Sequence, residues 1–232
     1  MNIPRHIAII MDGNRRWAEK RNLSLEQGHK AGAETVRKVL EYCKKYGVKN
    51  LTLYAFSTEN WKRPVNEVRA LMRLLVDFLS KNIDEMNENG IRLRAIGKTE
   101  QLPMLQRKIL ENAISRTKKN SDFNLILAIS YGARAEIVDA CAKIAREVKD
   151  GNLDIAQINE HIFSKYLYCP DIPDPDLLIR TSSERRVSNF LLWQISYAEL
   201  YFTDVLWPDF SELEFHAALE DYSKRQRRFG QR

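Results

Sequence analysis

The sequence has few cysteines, no long apolar run and no signal-peptide pattern. Its longest apolar stretches, residues 6–11 and 190–193, fall far short of the ~20 residues that span a bilayer. The cysteines, Cys43, Cys141 and Cys169, are far apart and form no CxxC pair. They indicate buried thiols rather than a metal cage or a disulfide framework. We therefore predict a soluble, cytoplasmic protein.

The sequence also lacks both common nucleotide-binding fingerprints, since neither GxxxxGKS/T nor GxGxxG occurs in it. With 44% hydrophobic and 29% charged residues, its composition is that of an ordinary globular protein rather than a disordered one. A chain of 232 residues predicts one domain, residues 1–232, whose core is large enough to fold without disulfides or a structural metal.

The net charge of +6 predicts a surface that attracts anions. Basic residues are concentrated near Arg15 and Arg16 and in the final segment, residues 224–232. A solvated face explains such clusters as well as an anion site does. Because the basic tail contains no recognised nucleic-acid-binding motif, we expect no nucleic-acid partner.

Short apolar, β-branched segments alternate with longer segments of helical period, which is typical of an α/β fold with a mainly parallel sheet flanked by helices. Six strands are predicted, at residues 6–11, 51–56, 91–96, 124–130, 177–180 and 200–205. Seven helices are predicted, at residues 28–46, 65–89, 100–119, 133–149, 155–166, 189–197 and 212–228. The helix 65–89 has a strong apolar stripe, explained either by packing against the sheet or by one wall of an apolar cavity.

Polar and basic residues follow three of the predicted strands, at residues 12–17, 57–63 and 180–189. The carboxyl ends of parallel strands meet at one edge of a sheet, where ligands of α/β proteins bind. Glycine allows close backbone approach, and arginines match phosphate oxygens with two donors each. The three segments together therefore predict a diphosphate pocket. Glu199 is a second carboxylate that could join Asp12 around a hard cation such as Mg²⁺.

Four motifs, HIAIIMDGN at residues 6–14, LYAFS at 53–57, SNFLLWQ at 188–194 and LWPDF at 206–210, extend along the chain. In these motifs the sequence resembles the cis-prenyltransferases, closest to the bacterial undecaprenyl diphosphate synthases, over essentially its whole length. The resemblance implies a homodimer with a six-stranded parallel sheet and an apolar tunnel. It also implies condensation of isopentenyl diphosphate onto an allylic diphosphate such as farnesyl diphosphate, with Mg²⁺ as cofactor. The implied product, undecaprenyl diphosphate, is a lipid carrier precursor for cell-wall glycan synthesis.

The same resemblance assigns roles to individual residues. Asp12 takes part in catalysis and binds the metal with Glu199, and Asn60 is implicated in removing a proton from isopentenyl diphosphate. The implied substrate-binding residues are Gly13, Asn14, Arg15, Arg16, Trp17, His29, Ser57, Thr58, Glu59, Trp61, Arg63, Arg180, Arg185, Arg186 and Ser188. The segment 228–230 matches an RxG motif that reaches across the dimer to the active site.

Some positions depart from the family pattern. Arg15 stands where many relatives have glycine, and Leu25 stands where an arginine often contacts phosphate, so we expect Arg15 to replace the charge that Leu25 lacks. Ser183 and Ala133 each replace a glycine. Ala55 occupies a position that is bulky in short-chain relatives, which favours a medium or long product.

Two alternative functions remain open at this stage. One is a short- or medium-chain synthase on the same fold, and the other is a non-catalytic subunit of a heteromeric prenyltransferase. The joint presence of Asp12, Asn60, Arg180, Arg186 and Glu199 argues against the second. Because the product is very apolar, a transient contact with a membrane surface during its release is also expected.

Overall fold

A six-stranded sheet forms the centre of the computed structural model, which describes residues 1–228. The strands are β1 His6–Ile10, β2 Asn50–Ser57, β3 Ile91–Ile96, β4 Phe123–Tyr131, β5 Leu177–Arg180 and β6 Glu199–Phe202. They lie in the order β3-β4-β2-β1-β5-β6, and every neighbouring pair is parallel. The predicted α/β fold is confirmed, with a sheet that is parallel throughout.

Helices cover both faces of this sheet. They are α1 Asn14–Lys20, α2 Leu25–Tyr46, α3 Val65–Glu88, α4 Met104–Thr117, α5 Ala133–Lys149, α6 Glu160–Ser164 and α7 Glu212–Lys224. Short 3-10 helices lie at Thr58–Lys62, Thr99–Gln101, Ile155–Gln157 and Trp207–Asp209. Within residues 1–228, none of the helices combines the length and the apolar character needed to cross a membrane.

Strand β1 is central in the sheet and is buried along its whole length, between β2 and β5. Ile7 and Ile9 belong to the core beneath α2, α3, α4 and α7, whereas Ala8 and Ile10 belong to the core on the opposite face, with residues of α5 and the segment 187–195. A strand that is covered on both faces is nearly continuously apolar, which explains why the run from Ile7 to Ile10 predicted it. The residues after β1 emerge at the carboxyl edge of the sheet.

The segment 189–197, predicted as a helix, is not helical. Ser188, Asn189 and Leu191 have φ angles of 46°, 61° and 47°, in the left-handed region, and such residues interrupt a right-handed helix. The apolar spacing of this segment instead reflects Phe190 and Leu191, which are buried in the core on the α5 face.

Several predicted boundaries also differ from the structure. The predicted helix 155–166 is divided into a 3-10 helix and α6, and helix α1 was not among the predicted helices. Helix α4 begins after Pro103, α7 ends at Lys224, and β6 ends at Phe202. Cys43 is buried as predicted, but Cys141 is exposed.

Candidate active site

A cavity of about 880 Å³ opens at the carboxyl edge of the sheet, between the sheet and helices α1, α2 and α3. The predicted site residues that line it are Asp12, Gly13, Asn14, Arg15, Arg16, His29, Ser57, Glu59, Asn60, Arg63, Arg180 and Ser188. Other parts of the wall are apolar and include Ala55, Leu71, Leu75, Phe78 and Leu127. A charged wall and an apolar wall therefore enclose the same space.

Helix α3 contributes to this apolar wall with one part of its stripe and to the protein core with another. Leu71, Leu75 and Phe78 line the cavity, whereas Leu79 and Ile83 are buried in the core against the sheet. The two explanations that the sequence left open for the stripe are therefore both correct, for different residues of the same helix.

Asp12 lies two residues beyond β1, where several contacts fix its position. Its Oδ2 accepts a hydrogen bond from Nη2 of Arg180 at 3.0 Å, and its Oδ1 accepts one from the Gly13 N–H at 2.9 Å. The hydroxyl of Thr181 accepts from the Asp12 N–H at 3.0 Å and donates to the Asp12 carbonyl at 2.6 Å. Gly13 has a φ of 112°, and a Cβ there would lie 3.0 Å from side-chain atoms of Leu206 and Ser182, so the turn requires glycine.

Arg180 connects Asp12 to the loop that follows β5. Its side chain is only 4% exposed, and its Nη1 donates to Oγ of Ser188 at 2.8 Å and to the carbonyl of Arg186. The Nε of Arg180 is buried without a hydrogen-bond partner. One buried guanidinium thus brings together residues from two strand ends, as the sequence predicted.

Glu67 lies between two arginines of the cavity wall. It is buried on α3 and accepts from Nη2 of Arg15 and from Nη1 of Arg63, both at 2.8 Å. Arg15 comes from α1 and Arg63 precedes α3, so Glu67 connects two elements on the same side of the cavity.

Glu184 likewise pairs with two arginines, one on α1 and one in the loop after β5. It accepts from Nη2 of Arg16 at 3.1 Å and also from Nη1 of Arg186. Arg16 additionally donates through Nη1 to the carbonyl of Ser182 at 3.0 Å. In this structure, therefore, five of the arginines predicted to bind substrate, Arg15, Arg16, Arg63, Arg180 and Arg186, are paired with carboxylates of the protein itself.

His29 lies in the cavity wall near this cluster and is neutral at neutral pH. Its pKa is lowered to about 4, mainly by burial; the charge of Glu67 raises the pKa, and the nearby cations Arg63 and Arg15 lower it. Its Nε2 is buried without a hydrogen-bond partner. A neutral ring with an unused nitrogen at this position is suited to a hydrogen bond with a bound ligand.

The segment after β2 is held by hydrogen bonds among its own residues. Asn60 accepts through Oδ1 from the Ser57 N–H at 3.1 Å, and Glu59 accepts from Nδ2 of Asn189 at 3.1 Å and from the Thr58 hydroxyl at 3.2 Å. Burial raises the pKa of Glu59, but hydrogen bonds from its backbone and these neighbours outweigh burial and lower the pKa below its usual range. Glu59 is therefore ionised, and the amide of Asn60 has a fixed orientation.

Other predicted residues lie outside the cavity wall in the described residues 1–228. They are Trp17, Thr58, Trp61, Arg185, Arg186 and Glu199. The indole N–H of Trp17 donates to Asp209 at 2.7 Å, and the Trp61 N–H donates to the Ser130 hydroxyl at 2.8 Å. Arg185 is exposed. Trp17 therefore connects α1 to Asp209, and Trp61 connects the segment after β2 to Ser130.

Glu199 and Asp12 are not brought together within one chain. Glu199 begins β6 and pairs with Leu177, which pairs with Ile7 near the start of β1. Asp12 follows the opposite end of β1, so the two carboxylates lie near opposite edges of the sheet. Glu199 is instead paired with Nη1 of Arg225 at 2.9 Å. The sequence does not show how neighbouring strands are aligned with one another. It therefore could not show that Glu199 and Asp12 lie far apart within one chain.

The sequence analysis assigned no role to four residues that organise this site, Glu67, Thr181, Glu184 and Asn189. Glu67 had a usable signal, because it follows Arg63 at the i,i+4 spacing of helical ion pairs. The contacts of the other three with Asp12, Arg16 and Glu59 each join residues more than a hundred positions apart in sequence.

Asp12 is the residue of this cavity best suited to a divalent cation. Within residues 1–228 there is no group of three or more His, Cys, Asp and Glu side chains placed to hold a metal. Magnesium, however, is commonly bound by one or two carboxylates, with substrate phosphates and water as the other ligands. The partly exposed carboxylate of Asp12, in a cavity lined by arginines, fits such a partial site.

The similarity of the chain to known proteins agrees with this geometry. A model of the family described as undecaprenyl diphosphate synthase matches residues 10–230, which include every cavity residue named above. The chain belongs to the undecaprenyl diphosphate synthase family. The matched residues include strands β2 to β6 and the three polar segments at the carboxyl edge.

Curated members of this family match the chain over nearly all of its length. An isoprenyl transferase of Heliobacterium mobile is 53% identical over 98% of this chain and 88% of that protein. A ditrans,polycis-undecaprenyl-diphosphate synthase of Legionella pneumophila, described as specific for (2E,6E)-farnesyl diphosphate, is 49% identical over 99% of this chain and 96% of that protein. The prediction that the protein is an enzyme, a prenyltransferase, is therefore confirmed.

Solved structures of prenyl diphosphate synthases have the same fold. Lavandulyl diphosphate synthase from Lavandula x intermedia, in complex with dimethylallyl diphosphate, has a TM-score of 0.96 at 38% identity, over 99% of both chains. A probable undecaprenyl diphosphate synthase from Campylobacter jejuni has a TM-score of 0.83 at 37% identity, over 100% of both chains. The arrangement of the sheet and helices is thus that of the family.

Proposed function

We propose that this family member is a Mg²⁺-dependent cis-prenyltransferase that condenses isopentenyl diphosphate onto farnesyl diphosphate to make undecaprenyl diphosphate. The observation that carries the proposal is that one cavity has Asp12 and the arginines on one wall and Ala55, Leu71 and Phe78 on another. A substrate with an anionic head and a growing apolar chain requires both surfaces in one space. The product would serve as precursor of the lipid carrier for cell-wall glycan synthesis.

The charged wall suits the departure of diphosphate from an allylic carbon. Breaking that carbon–oxygen bond develops negative charge on the diphosphate and positive charge on carbon, so donors that hold the leaving group lower the barrier. Arg16, Arg180 and the neutral ring of His29 line this part of the cavity. The apolar wall excludes water from the reacting carbon. Asn60, held by the Ser57 N–H, takes the predicted part in removing the proton from isopentenyl diphosphate.

Asp12 is the proposed protein ligand of Mg²⁺. When bound, this cation would neutralise charge on the diphosphate oxygens. Arg180, at 3.0 Å from Oδ2 of Asp12, holds the carboxylate in place from beneath. Oδ1 is bonded to the Gly13 N–H but retains further acceptor capacity toward the cavity.

A homodimer is part of the proposal. Strand β6 is an edge strand, and both Leu200 and Tyr197 beside it are exposed, so this edge has an apolar surface available to a second copy. The metal role predicted for Glu199 requires such a copy. Within one chain, Glu199 lies at the amino ends of the strands and Asp12 lies at their carboxyl ends. Of the RxG segment, only Arg228 belongs to the described residues, and Phe229 and Gly230 lie outside them. The molecular mass in solution tests this part.

The proposal also includes a transient contact with a membrane surface during product release. Val65, Met104 and Leu105 are exposed apolar residues in the first turns of α3 and α4. Both helices follow parallel strands, so they begin at the carboxyl edge of the sheet, where the cavity opens. The basic residues Arg69 and Lys108 on the same helices complement an anionic lipid surface. Cosedimentation with vesicles that contain anionic phospholipid tests this contact, and the cytoplasmic location stays a prediction.

The first experiment measures incorporation of labelled isopentenyl diphosphate into product with farnesyl diphosphate, in Mg²⁺ and in EDTA, and sizes the dephosphorylated product. We expect a metal-dependent C55 product. Asp12→Asn is expected to lower kcat on the order of a hundredfold to a thousandfold, because it removes a charge that acts on the reacting groups. Asp84→Asn is the matched control, since Asp84 pairs with Arg116 on the surface and should leave kcat unchanged.

Each other outcome has a definite meaning. A metal-dependent product of about C20, one condensation beyond the C15 primer, would favour the short-chain alternative. Full activity of Asp12→Asn would contradict the assigned role of Asp12. The absence of product with any allylic primer would contradict the proposed reaction.

A further inference from the structure

Glu184 holds two arginines that come from different parts of the chain. Its Oε1 accepts from Nη2 of Arg16 on α1 at 3.1 Å, and its Oε2 accepts from Nη1 of Arg186 in its own loop. Arg16 lines the cavity, and Arg186 accepts through its carbonyl from the buried Arg180. A single carboxylate thus lies between two guanidinium groups at the rim of the proposed diphosphate site.

The loop that carries Glu184 is fixed by backbone hydrogen bonds. The N–H groups of Ser182 and Ser183 each donate at 2.9 Å, to the carbonyls of Val205 and Thr203. Both serines have left-handed φ angles, 83° and 63°, and the two hydrogen bonds hold the chain in this conformation. Because the backbone before Glu184 is fixed, its carboxylate has a defined position rather than that of a mobile surface side chain.

The carboxylate of Glu184 also has the chemistry of the group that these arginines are proposed to bind. A guanidinium donates in the same way to two carboxylate oxygens and to two phosphate oxygens. Each guanidinium group that pairs with Glu184 therefore has fewer N–H donors free to bind a ligand. Arg16 is engaged twice in this structure, by Glu184 and by the Ser182 carbonyl.

We propose that Glu184 is a positioning residue that holds the guanidinium groups of Arg16 and Arg186 and competes with diphosphate for their donors. This inference rests on the proposed function and assigns a regulatory task to one residue of that site. A diphosphate binds to this pair of arginines by displacing the carboxylate. The competition weakens ground-state binding of diphosphate and so favours release of the inorganic diphosphate formed in each condensation.

The test measures binding of inorganic diphosphate in EDTA by isothermal titration calorimetry. We expect Glu184→Gln to bind it about fivefold more tightly, since the substitution removes a competing charge and keeps the side-chain shape. We expect its kcat in the prenyl-transfer assay to fall with an unchanged or lower KM for isopentenyl diphosphate, because the guanidinium groups of Arg16 and Arg186 are no longer held in place. Glu184→Ala should shift the affinity in the same direction, so the test does not depend on the folding of one variant.

Glu111→Gln is the matched control, because Glu111 pairs with Arg107 on the surface of α4, away from the cavity. It should change neither diphosphate affinity nor kcat. A residue that acted only by supporting the loop would weaken diphosphate binding when replaced. Unchanged or weaker binding by both Glu184 variants would therefore overturn the proposal. The binding measurement needs no prenyl transfer, so loss of the proposed function and loss of this inference are separate outcomes.

Discussion

The hydroxyl of Thr181 brackets the backbone of Asp12, accepting from its N–H at 3.0 Å and donating to its carbonyl at 2.6 Å. Thr181 is completely buried at the exit of β5, and Asp12 follows the neighbouring strand β1. The proposed catalytic carboxylate is thereby tied to the sheet through its own peptide groups. The catalytic geometry thus depends on a residue without contact to the cavity.

Thr181→Val should lower kcat about tenfold to a hundredfold, because small displacements of a catalytic group have effects of this size. It should also lower the free energy of unfolding by about 1–3 kcal/mol, since it removes both hydrogen bonds between the Thr181 hydroxyl and the Asp12 backbone, although the Asp12 N–H keeps the Ile10 carbonyl as an acceptor. Steady-state kinetics and urea denaturation measure the two effects. Thr181→Ser keeps the hydroxyl and should retain most of the activity, and equal loss in both variants would contradict this explanation.

Ser183→Gly should stabilise the protein. The φ of Ser183 is 63°, a left-handed conformation that costs a residue with a Cβ about 1–2 kcal/mol. Part of the gain is offset by the greater freedom of glycine in the unfolded chain, so we expect about 1 kcal/mol, or roughly 2–4 °C in Tm. Ser183→Ala retains the Cβ and serves as the control. An equal gain in Tm with alanine would show that the left-handed backbone is not the cause.

The stability of the fold should decline as pH falls from about 6.5 to 4. Burial lowers the pKa of His6 to about 4, although its contact with the Pro173 carbonyl and the charge of Asp176 act in the opposite direction. The unfolded chain takes up a proton below about pH 6.5 and the folded chain does so only near pH 4, so protonation favours unfolding within this window. The loss for His6 alone is about 3 kcal/mol at the acidic limit.

Urea denaturation between pH 4 and 7.5 tests this pH dependence. His6→Asn should reduce the slope of unfolding free energy against pH, even if the loss of the bond to Thr52 lowers stability at every pH. His216→Asn is the control, because His216 lies on the surface of α7. The same slope in His6→Asn and in the unsubstituted protein would exclude His6 as its source.

Ala55 should control product length through its place in the apolar wall. Substitution by Val, Leu and Phe adds increasing bulk at a position that lines the cavity beside Leu127. We expect progressively shorter products, with little change in the rate of the first condensation, because the obstruction affects only chains that reach it. Chromatographic sizing of the dephosphorylated products measures the effect. An unchanged product with Ala55→Phe would mean that the growing chain follows another path.

The strands were predictable because burial on both faces leaves a local record in the sequence. Each residue of β1 is buried and apolar or satisfied within the core, and the same holds for most of β4. Helix α1 left a weaker record, since its seven residues have only Ala18 buried. The prediction of a helix at residues 189–197 was wrong because the apolar residues of this segment lie in consecutive turns that contain left-handed residues.

The gathering of arginines at the carboxyl edge of the sheet was predictable from their positions after strands, whereas their acidic partners were not. Arg16 and Glu184 are 168 residues apart in sequence, and only the parallel pairing of β1 with β5 brings them together. The separation of Glu199 from Asp12 within one chain was not predictable either, because strand register is decided by tertiary packing. Sequence patterns thus located the edge of the sheet where the basic residues gather but not the pairing of charges there.

The position of β1 in the sheet also has a consequence for the order of events during biosynthesis. Its neighbour β5 pairs Leu177 with Ile7, a separation of 170 residues. At a synthesis rate of 5–20 residues per second, β1 waits roughly 10–30 s for this partner to be made. The strand that precedes Asp12 is therefore the first to leave the ribosome and among the last to be enclosed. Until then its apolar edge is exposed to other chains, so the nascent protein depends on early cover by α2 and β2 or by a chaperone.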